Sequence, residues 1–318
     1  MRIKCLISWL LLAAICCASC KRIELQRATS SVYLRIITDP EPALPEPEGL
    51  DFNSSYELYS RAYQPNIGVY RICLYDIETH QFAGEDFLPA EGGFLNVASG
   101  VYDMVVYSAG SSVTILSNEE GRSKAYAYTN AAQGEDGLTI PEPEHMFVAA
   151  IPEVKIPIYS AKEEIKTIEI NTTRIAQTYY LEFKNVVGLE RVVKVEVRVS
   201  GQVPGRYIWD NRFEDLTGDV YFTPILDKEG GRIYALFNTF GRNEYRHTDV
   251  NVILTVLDRN GRSFRWKVDV TDRFDDPDNT RNEILIDSEI YIPDTDDGDG
   301  MVPDVEDWED EVTHVPIS

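Results

Sequence analysis

The residue with the clearest potential for chemistry is Cys20, a thiol that follows two small residues. The motif Cys17-Ala18-Ser19-Cys20 comes soon after a largely apolar run of ten residues, Leu6 to Ile15, and two basic residues precede that run. This pattern is typical of a secretory signal, and the apolar run is too short to cross a bilayer as a helix. Small side chains fit beside a scissile bond, so cleavage before Cys20 would leave its thiol able to carry a lipid. We therefore expect residues 1–19 to be a signal peptide.

The cleavage motif resembles the lipobox of bacterial lipoproteins, although Cys17 stands where that motif usually has an aliphatic residue. The resemblance implies a covalent lipid on Cys20 and a lipidated tether over residues 20–30. No other cofactor is expected. The alternative is an ordinary signal peptide that is cleaved without lipid attachment.

Charge and cysteine content restrict the partners of the mature chain. Cleavage would leave 28 basic and 53 acidic residues, a formal charge of −25. Such a chain does not bind nucleic acid or an anionic membrane through its overall charge, so its contact with a bilayer would come from the lipid. Besides Cys20, only Cys73 remains; it lies in the middle of an apolar run and is expected to be a buried hydrophobic residue without a disulfide partner.

Catalytic motifs are scarce, and an enzyme is disfavoured. The four histidines, His80, His145, His247 and His314, do not have the spacing of metal ligands. A glycine-rich phosphate loop, a G-x-S-x-G motif and an H-E-x-x-H motif are all absent from the sequence.

A weak calcium motif lies in the acidic C-terminal segment. Asp297, Asp299 and Glu306 match positions of an EF-hand loop, but Thr295 stands at its first position and no flanking helix is predicted. Chance matches are easy in such an acidic segment, so the prediction for metal is none, with these three residues as the calcium candidate.

Two aromatic residues indicate a possible glycan-binding surface. Tyr207 and Trp209 lie beside a predicted loop, and exposed aromatic rings stack well on sugars and on partner proteins. The alternative is that the pair covers the edge of a hydrophobic core.

The elements that position these residues are predicted to be β-strands, because the hydrophobic pattern has a period of two almost throughout. Val193, Val195, Val197 and Val199 alternate with polar residues and predict a strand with one buried face. The segment 250–270 predicts a hairpin around Asn260-Gly261, whose inward residues are Val250, Val252, Leu254, Val256, Phe264, Trp266, Val268 and Val270.

The order of these segments predicts an all-β protein with two β-sandwich domains in tandem, over residues 31–160 and 161–293. Residues 294–318 form an acidic extension that contains spaced apolar residues, Trp308, Val312, Val315 and Ile317. We consider two interpretations of this extension: a donor strand that binds a partner through those four residues, or a solvated acidic end.

The ordered segments resemble a known family. They include "CKRIEL", "GVYRICLYD", "LNVASGVYDMVVYS", "PEPEHMFVA", "TTRIAQTYYLEFKNVVGLERVVKVEVRVSG", "VDVTDRF" and "ILIDSEIYIPD". Together they look like the fimbrillin-associated anchor lipoproteins of Bacteroidales, and especially a related lipoprotein family of that group. The resemblance implies two transthyretin-like, Greek-key sandwiches anchored by lipid in the outer membrane at the cell surface. It also implies a role in seating a surface fimbria, with subunits that assemble by strand exchange.

Two functions of different class follow. The first is a fimbrial anchor or minor subunit that associates with fimbrial subunits by β-strand addition at an unpaired sheet edge. The second is a glycan-binding surface lipoprotein of a nutrient-uptake system, with Trp209 and Tyr207 as its platform.

Overall fold

The structure, a computed structural model, describes residues 32–38, 67–117, 121–134, 137–158, 164–243 and 248–293, and the backbone alone of 313–314. Its regular structure is almost entirely β, which confirms the predicted all-β fold class. The strands of the first half are β1 (Val32–Thr38), β2 (Val69–Asp76), β3 (Phe82–Pro89), β4 (Gly92–Phe94), β5 (Gly100–Ala109), β6 (Ile115–Ser117), β7 (Tyr126–Tyr128), β8 (Ala132–Gly134), β9 (Gly137–Pro141) and β10 (Phe147–Ile156).

The second half contains β11 (Lys166–Arg174), β12 (Gln177–Phe183), β13 (Val186–Val187), β14 (Val192–Gln202), β15 (Gly205–Tyr207), β16 (Gly218–Phe222), β17 (Ile225–Asp227), β18 (Arg232–Thr239), β19 (Asn251–Asp258), β20 (Ser263–Asp269), β21 (Glu283–Ile286), β22 (Ile290–Tyr291) and β23 (Thr313–His314). A five-residue helix, α1 (Thr271–Asp275), follows β20, and short 3₁₀ turns lie at Arg122–Lys124 and Leu189–Arg191. Among the described residues, no helix is long and apolar enough to cross a membrane.

The first sandwich is one curled sheet with the strand order β3-β2-β5-β10-β11-β1-β4. Its two ends meet because the short turn after Pro89 joins β3 directly to β4. The curl is visible at Tyr70 of β2, whose hydroxyl lies 2.9 Å from the Thr38 hydroxyl of β1 and 3.1 Å from that of Thr172 of β11. Apolar side chains of β1, β2, β5 and β10 form the enclosed core. Cys73 is fully buried on the other face of β2, as predicted.

The second sandwich packs a four-stranded sheet, β17-β18-β12-β21, against a seven-stranded sheet, β23-β20-β19-β14-β16-β9-β8. Its core takes alternate residues from both sheets, so the inward residues of the predicted hairpin are all buried there. The hairpin itself is confirmed, with β19 paired to β20 from Asn251↔Asp269 to Leu257↔Ser263.

The alternation predicted for β14 is wrong at one residue. Val193 is 58% exposed, whereas Val192 is buried in the second core. The pairing of β14 with β19 shifts between Val192 and Lys194, so an extra residue interrupts the period of two at this point. From Val195 onward the predicted alternation holds.

Strands from one side of residue 161, the predicted domain boundary, pair with strands from the other side. β11 lies after that boundary but pairs in parallel with β1 in the first sheet, while β8 and β9 lie before it and join the second sheet through β16. A third link pairs β7 with β15. The two sandwiches therefore exchange strands, and the division at 161 stays a prediction about folding units.

Candidate functional site

The candidate site is the side of β20 that faces away from β19, its partner in the hairpin of the second sandwich. β20 pairs with β19 on one side, and on its other side the backbone of β23 lies parallel to it. In this register Trp266 faces Thr313 and Lys267 faces His314. A strand at this position presents unpaired amide and carbonyl groups, which an added strand can satisfy.

The side chains of β20 hold the strand in the sheet, so that its backbone groups are left to form hydrogen bonds with an added strand. Phe264, Trp266 and Val268 point into the second core and hold the strand in place. Arg265 lies on the opposite, solvent-facing side, and Lys267 is half-buried there. In the sequence, the segment 294–311 has ten acidic residues and no basic one.

A buried carboxylate sets the geometry of the hairpin that carries β20. The Asp258 side chain accepts hydrogen bonds from the backbone amides of Asn260 and Arg262, at 2.8 and 2.9 Å, and from Arg262 Nε at 3.1 Å. Gly261 has a φ of +79°, a conformation that glycine adopts with little strain. The predicted Asn-Gly turn is thus stabilised by the residue at the end of β19.

Several predicted site residues lie outside the described residues. They are the lipidation site Cys20, the calcium candidates Asp297, Asp299 and Glu306, and the tail residues Trp308, Val312, Val315 and Ile317. Within the described part, no group of three or more histidine, cysteine, aspartate or glutamate side chains could hold a metal ion.

The glycan-binding candidates Tyr207 and Trp209 are both half-buried, next to the β7–β15 link between the halves. The Tyr207 ring contacts the Tyr126 ring at 4.7 Å, and the Arg212 guanidinium lies 4.1 Å from its centroid. The Arg122 guanidinium lies over the Trp209 ring at 4.5 Å. Side chains of the same chain therefore already occupy ring surface that a stacked sugar would need.

Behind Trp209 lies an ion pair that the sequence pattern did not indicate. Arg122 pairs with the fully buried carboxylate of Asp103, which also accepts a 3.2 Å hydrogen bond from the backbone amide of Glu153. Arg122 thus joins a carboxylate of the first sandwich to an aromatic ring of the second half. Nothing in the spacing of these residues could have linked them, because they come from three separate segments.

A buried histidine lies where the two sandwiches meet. His145 Nε2 is 3.3 Å from Arg174 Nη1 at the end of β11 and 3.2 Å from Thr178 Oγ1 in β12. Burial, and then the positive charge of Arg174, lowers the pKa of His145 to about 4. The imidazole is therefore neutral at pH 7.

Solved structures with a similar fold come from Bacteroidales. A candidate adhesin from Bacteroides ovatus matches with a TM-score of 0.57 and 17% identity, over 86% of this chain and 99% of that chain. A candidate polysaccharide-binding protein from Bacteroides thetaiotaomicron matches with a TM-score of 0.50 and 11% identity, over 81% and 91%. The fimbrial anchor protein Mfa2 from Porphyromonas gingivalis matches with a TM-score of 0.46 and 13% identity, over 82% and 89%.

The first two likenesses show the fold, and the likeness to Mfa2 is too distant to add to it. No protein-family model matches the sequence, and no curated protein matches it. The resemblance stated from the sequence, to the fimbrillin-associated anchor lipoproteins of Bacteroidales, is confirmed as a likeness of fold to adhesins of that group. None of the three solved proteins is described as an enzyme.

Proposed function

We propose that this protein is a lipid-anchored outer-membrane protein at the cell surface that anchors a fimbria or forms a minor subunit of one. The observation that carries the proposal is the edge of β20 with β23 paired along it. An edge that already accepts one short strand has the backbone geometry to accept a strand from another subunit. The descriptions of similar folds as adhesins agree with a surface role.

In this proposal the C-terminal extension is the donated segment and β20 is the acceptor edge. Strand addition gains affinity from backbone hydrogen bonds and gains specificity from alternate side chains. Trp308, Val312, Val315 and Ile317 are the apolar residues available for that specificity, and Pro316 would remove one hydrogen bond. Truncation after Pro293 is expected to abolish incorporation into fimbriae and to leave the melting temperature of the sandwiches nearly unchanged.

A reversible disulfide lock tests the same idea without deleting residues. Lys267 and His314 are register partners, and neighbouring strands lie about 4.8 Å apart, a separation that a disulfide can bridge. Lys267→Cys combined with His314→Cys should hold the extension on its own β20 and block incorporation until a reductant is added. Lys267→Cys alone is the matched control and should incorporate normally. Normal incorporation of both the truncated and the oxidised, locked protein would refute strand donation.

The lipid anchor needs a separate test. Labelled palmitate is expected to enter the unsubstituted protein and not a Cys20→Ala variant, because only the Cys20 thiol follows the required pair of small residues. Label that persists in the variant would show that the lipid, if any, is attached elsewhere.

A further inference from the structure

We propose that one end of the first sandwich is a membrane-facing surface that rests on an anionic lipid bilayer. This surface, the basal patch, consists of Val101, Lys155, Ile158, Ile165 and Lys166. The inference rests on the proposed lipid at Cys20 and adds which part of the folded protein meets the membrane.

The basal patch exposes three large apolar side chains. Ile158 is 77% exposed, Ile165 is 55% exposed and Val101 is 38% exposed. Val101 and Ile158 line an open groove of about 510 Å³, together with Ile156 and the two lysines. Isolated exposed apolar residues are common, but apolar side chains that share a groove point to a surface that something covers.

Strand pairing places these residues where the chain comes from its N-terminal tether. Val32, the first residue of β1, is the register partner of Lys166, and Ile156 is the partner of Gly100, next to Val101. Because β11 begins where the antiparallel β10 ends, all of these positions share one end of the sheet. The chain therefore enters the first sandwich at the basal patch.

The length of the tether limits how far this end can lie from the bilayer. Twelve residue steps separate Cys20 from Val32, so a fully extended tether reaches roughly 40 Å at most. This short connection keeps the patch near the surface, and confinement of this kind raises its effective concentration there. Among the residues that the structure describes, Val32 is the nearest to Cys20 along the chain, and it lies at this end.

The positive charge around the basal patch favours an anionic bilayer over other binding partners. Lys155 and Lys166 are both exposed, and Lys21, Arg22 and Arg27 of the tether add positive charge against a single acid, Glu24. Glu164 is the one acid among described residues directly beside Ile165 and Lys166 in sequence. The rest of the chain is strongly acidic and is repelled by lipid phosphates, so this end is the one that can approach them. Isoleucines flanked by lysines also suit the boundary between headgroups and acyl chains.

A polarity-sensitive fluorophore on the full lipidated protein tests the proposal. Ile158→Cys carries the dye in the patch, and Glu91→Cys carries it in the β3–β4 turn, at the opposite end of the sheet from Gly100. Cys73 is buried, so the unsubstituted protein measures background labelling. On vesicles of phosphatidylethanolamine and phosphatidylglycerol, we expect a blue shift for the dye at position 158 and none at position 91.

Charge reversal at the two lysines of the basal patch is the second part of this experiment. Lys155→Glu with Lys166→Glu should reduce the shift at position 158 by more than half, while the protein still floats with the vesicles through Cys20. Lys194→Glu with Arg281→Glu makes the same change at two exposed sites of the second sandwich and should leave the shift intact.

Flotation with equal emission at positions 158 and 91 overturns the basal patch and leaves the anchor standing. Absence of flotation overturns the anchor and, with it, this inference. A shift at position 158 that grows with protein concentration without vesicles means that a second copy covers the patch, which also overturns the inference.

Discussion

Acidification from pH 7 to pH 5 is expected to destabilise the fold through His145. Its Nε2 faces Arg174 Nη1, which can only donate, so the ring nitrogen must accept and the imidazole must be neutral. In the unfolded chain the pKa returns to about 6.5, whereas in the folded chain it is about 4. Between these values the unfolded state binds a proton that the folded state does not, so stability falls as the pH falls. Linkage over this interval gives a loss of about 2 kcal/mol between pH 7 and pH 5.

The assay is urea unfolding of the wild type and of His145→Gln at pH 7, 6 and 5. The variant has no imidazole to protonate, so its free energy of unfolding should fall by about 2 kcal/mol less than that of the wild type over this range. Carboxylates that titrate near pH 5 contribute equally to both proteins and cancel in the comparison. Equal decreases in the two proteins would refute the assignment of His145 as a buried neutral residue.

Three further predictions concern the core, a close backbone contact and the glycan-binding candidate. Val195→Thr should lower the free energy of unfolding by about 1–2 kcal/mol, because it buries a hydroxyl in the second core, whereas Val193→Thr should change it by less than about 0.5 kcal/mol; urea unfolding compares them. Gly205→Ala should lower the melting temperature, since a Cβ there would lie 2.5 Å from the Ala127 carbonyl oxygen, while Gly84→Ala meets no atom within 4 Å and should not. Trp209→Ala should leave migration on polysaccharide affinity gels unchanged, because Arg122 already covers ring surface; retardation that depends on Trp209 would favour the glycan-binding function.

Local pattern predicts strands well when a strand has one buried face. The hairpin 250–270 was predicted with its inward residues and turn, since its alternation runs unbroken and Asn-Gly suits a tight turn. Val193 was predicted on the wrong face because a bulge adds one residue to β14, and alternation alone does not reveal a bulge. The second face of β12 carries the polar residues Thr178 and Glu182, as an exposed face would, but both are buried. Tyr180 donates a hydrogen bond to Glu182, and Arg232 pairs with the same carboxylate.

Contacts between distant segments could not be predicted in the same way. β11 joins the first sheet and β9 joins the second, so each crosses the division that the order of segments suggests. A strand shows the same alternation in whichever sheet it joins. Its sequence therefore does not indicate which strand it pairs with. The same reason hides the contact between Arg122 and Trp209, which come from different halves of the chain, and the Arg122–Asp103 pair behind it, whose members lie 19 residues apart.

The candidate site illustrates this limit most directly. The acidic extension could be proposed as a donor from its spaced apolar residues, because that property belongs to one continuous segment. Its acceptor could not, because an edge strand is defined by having no neighbour on one side, and that is decided by every other pairing in the sheet. Phe264, Trp266 and Val268 would show the same alternation in a central strand as in β20. Only the strand order places β20 next to the end of its sheet, with the two-residue β23 as its neighbour on the side away from β19, so the lock between Lys267 and His314 tests a feature of the topology that no stretch of sequence encodes alone.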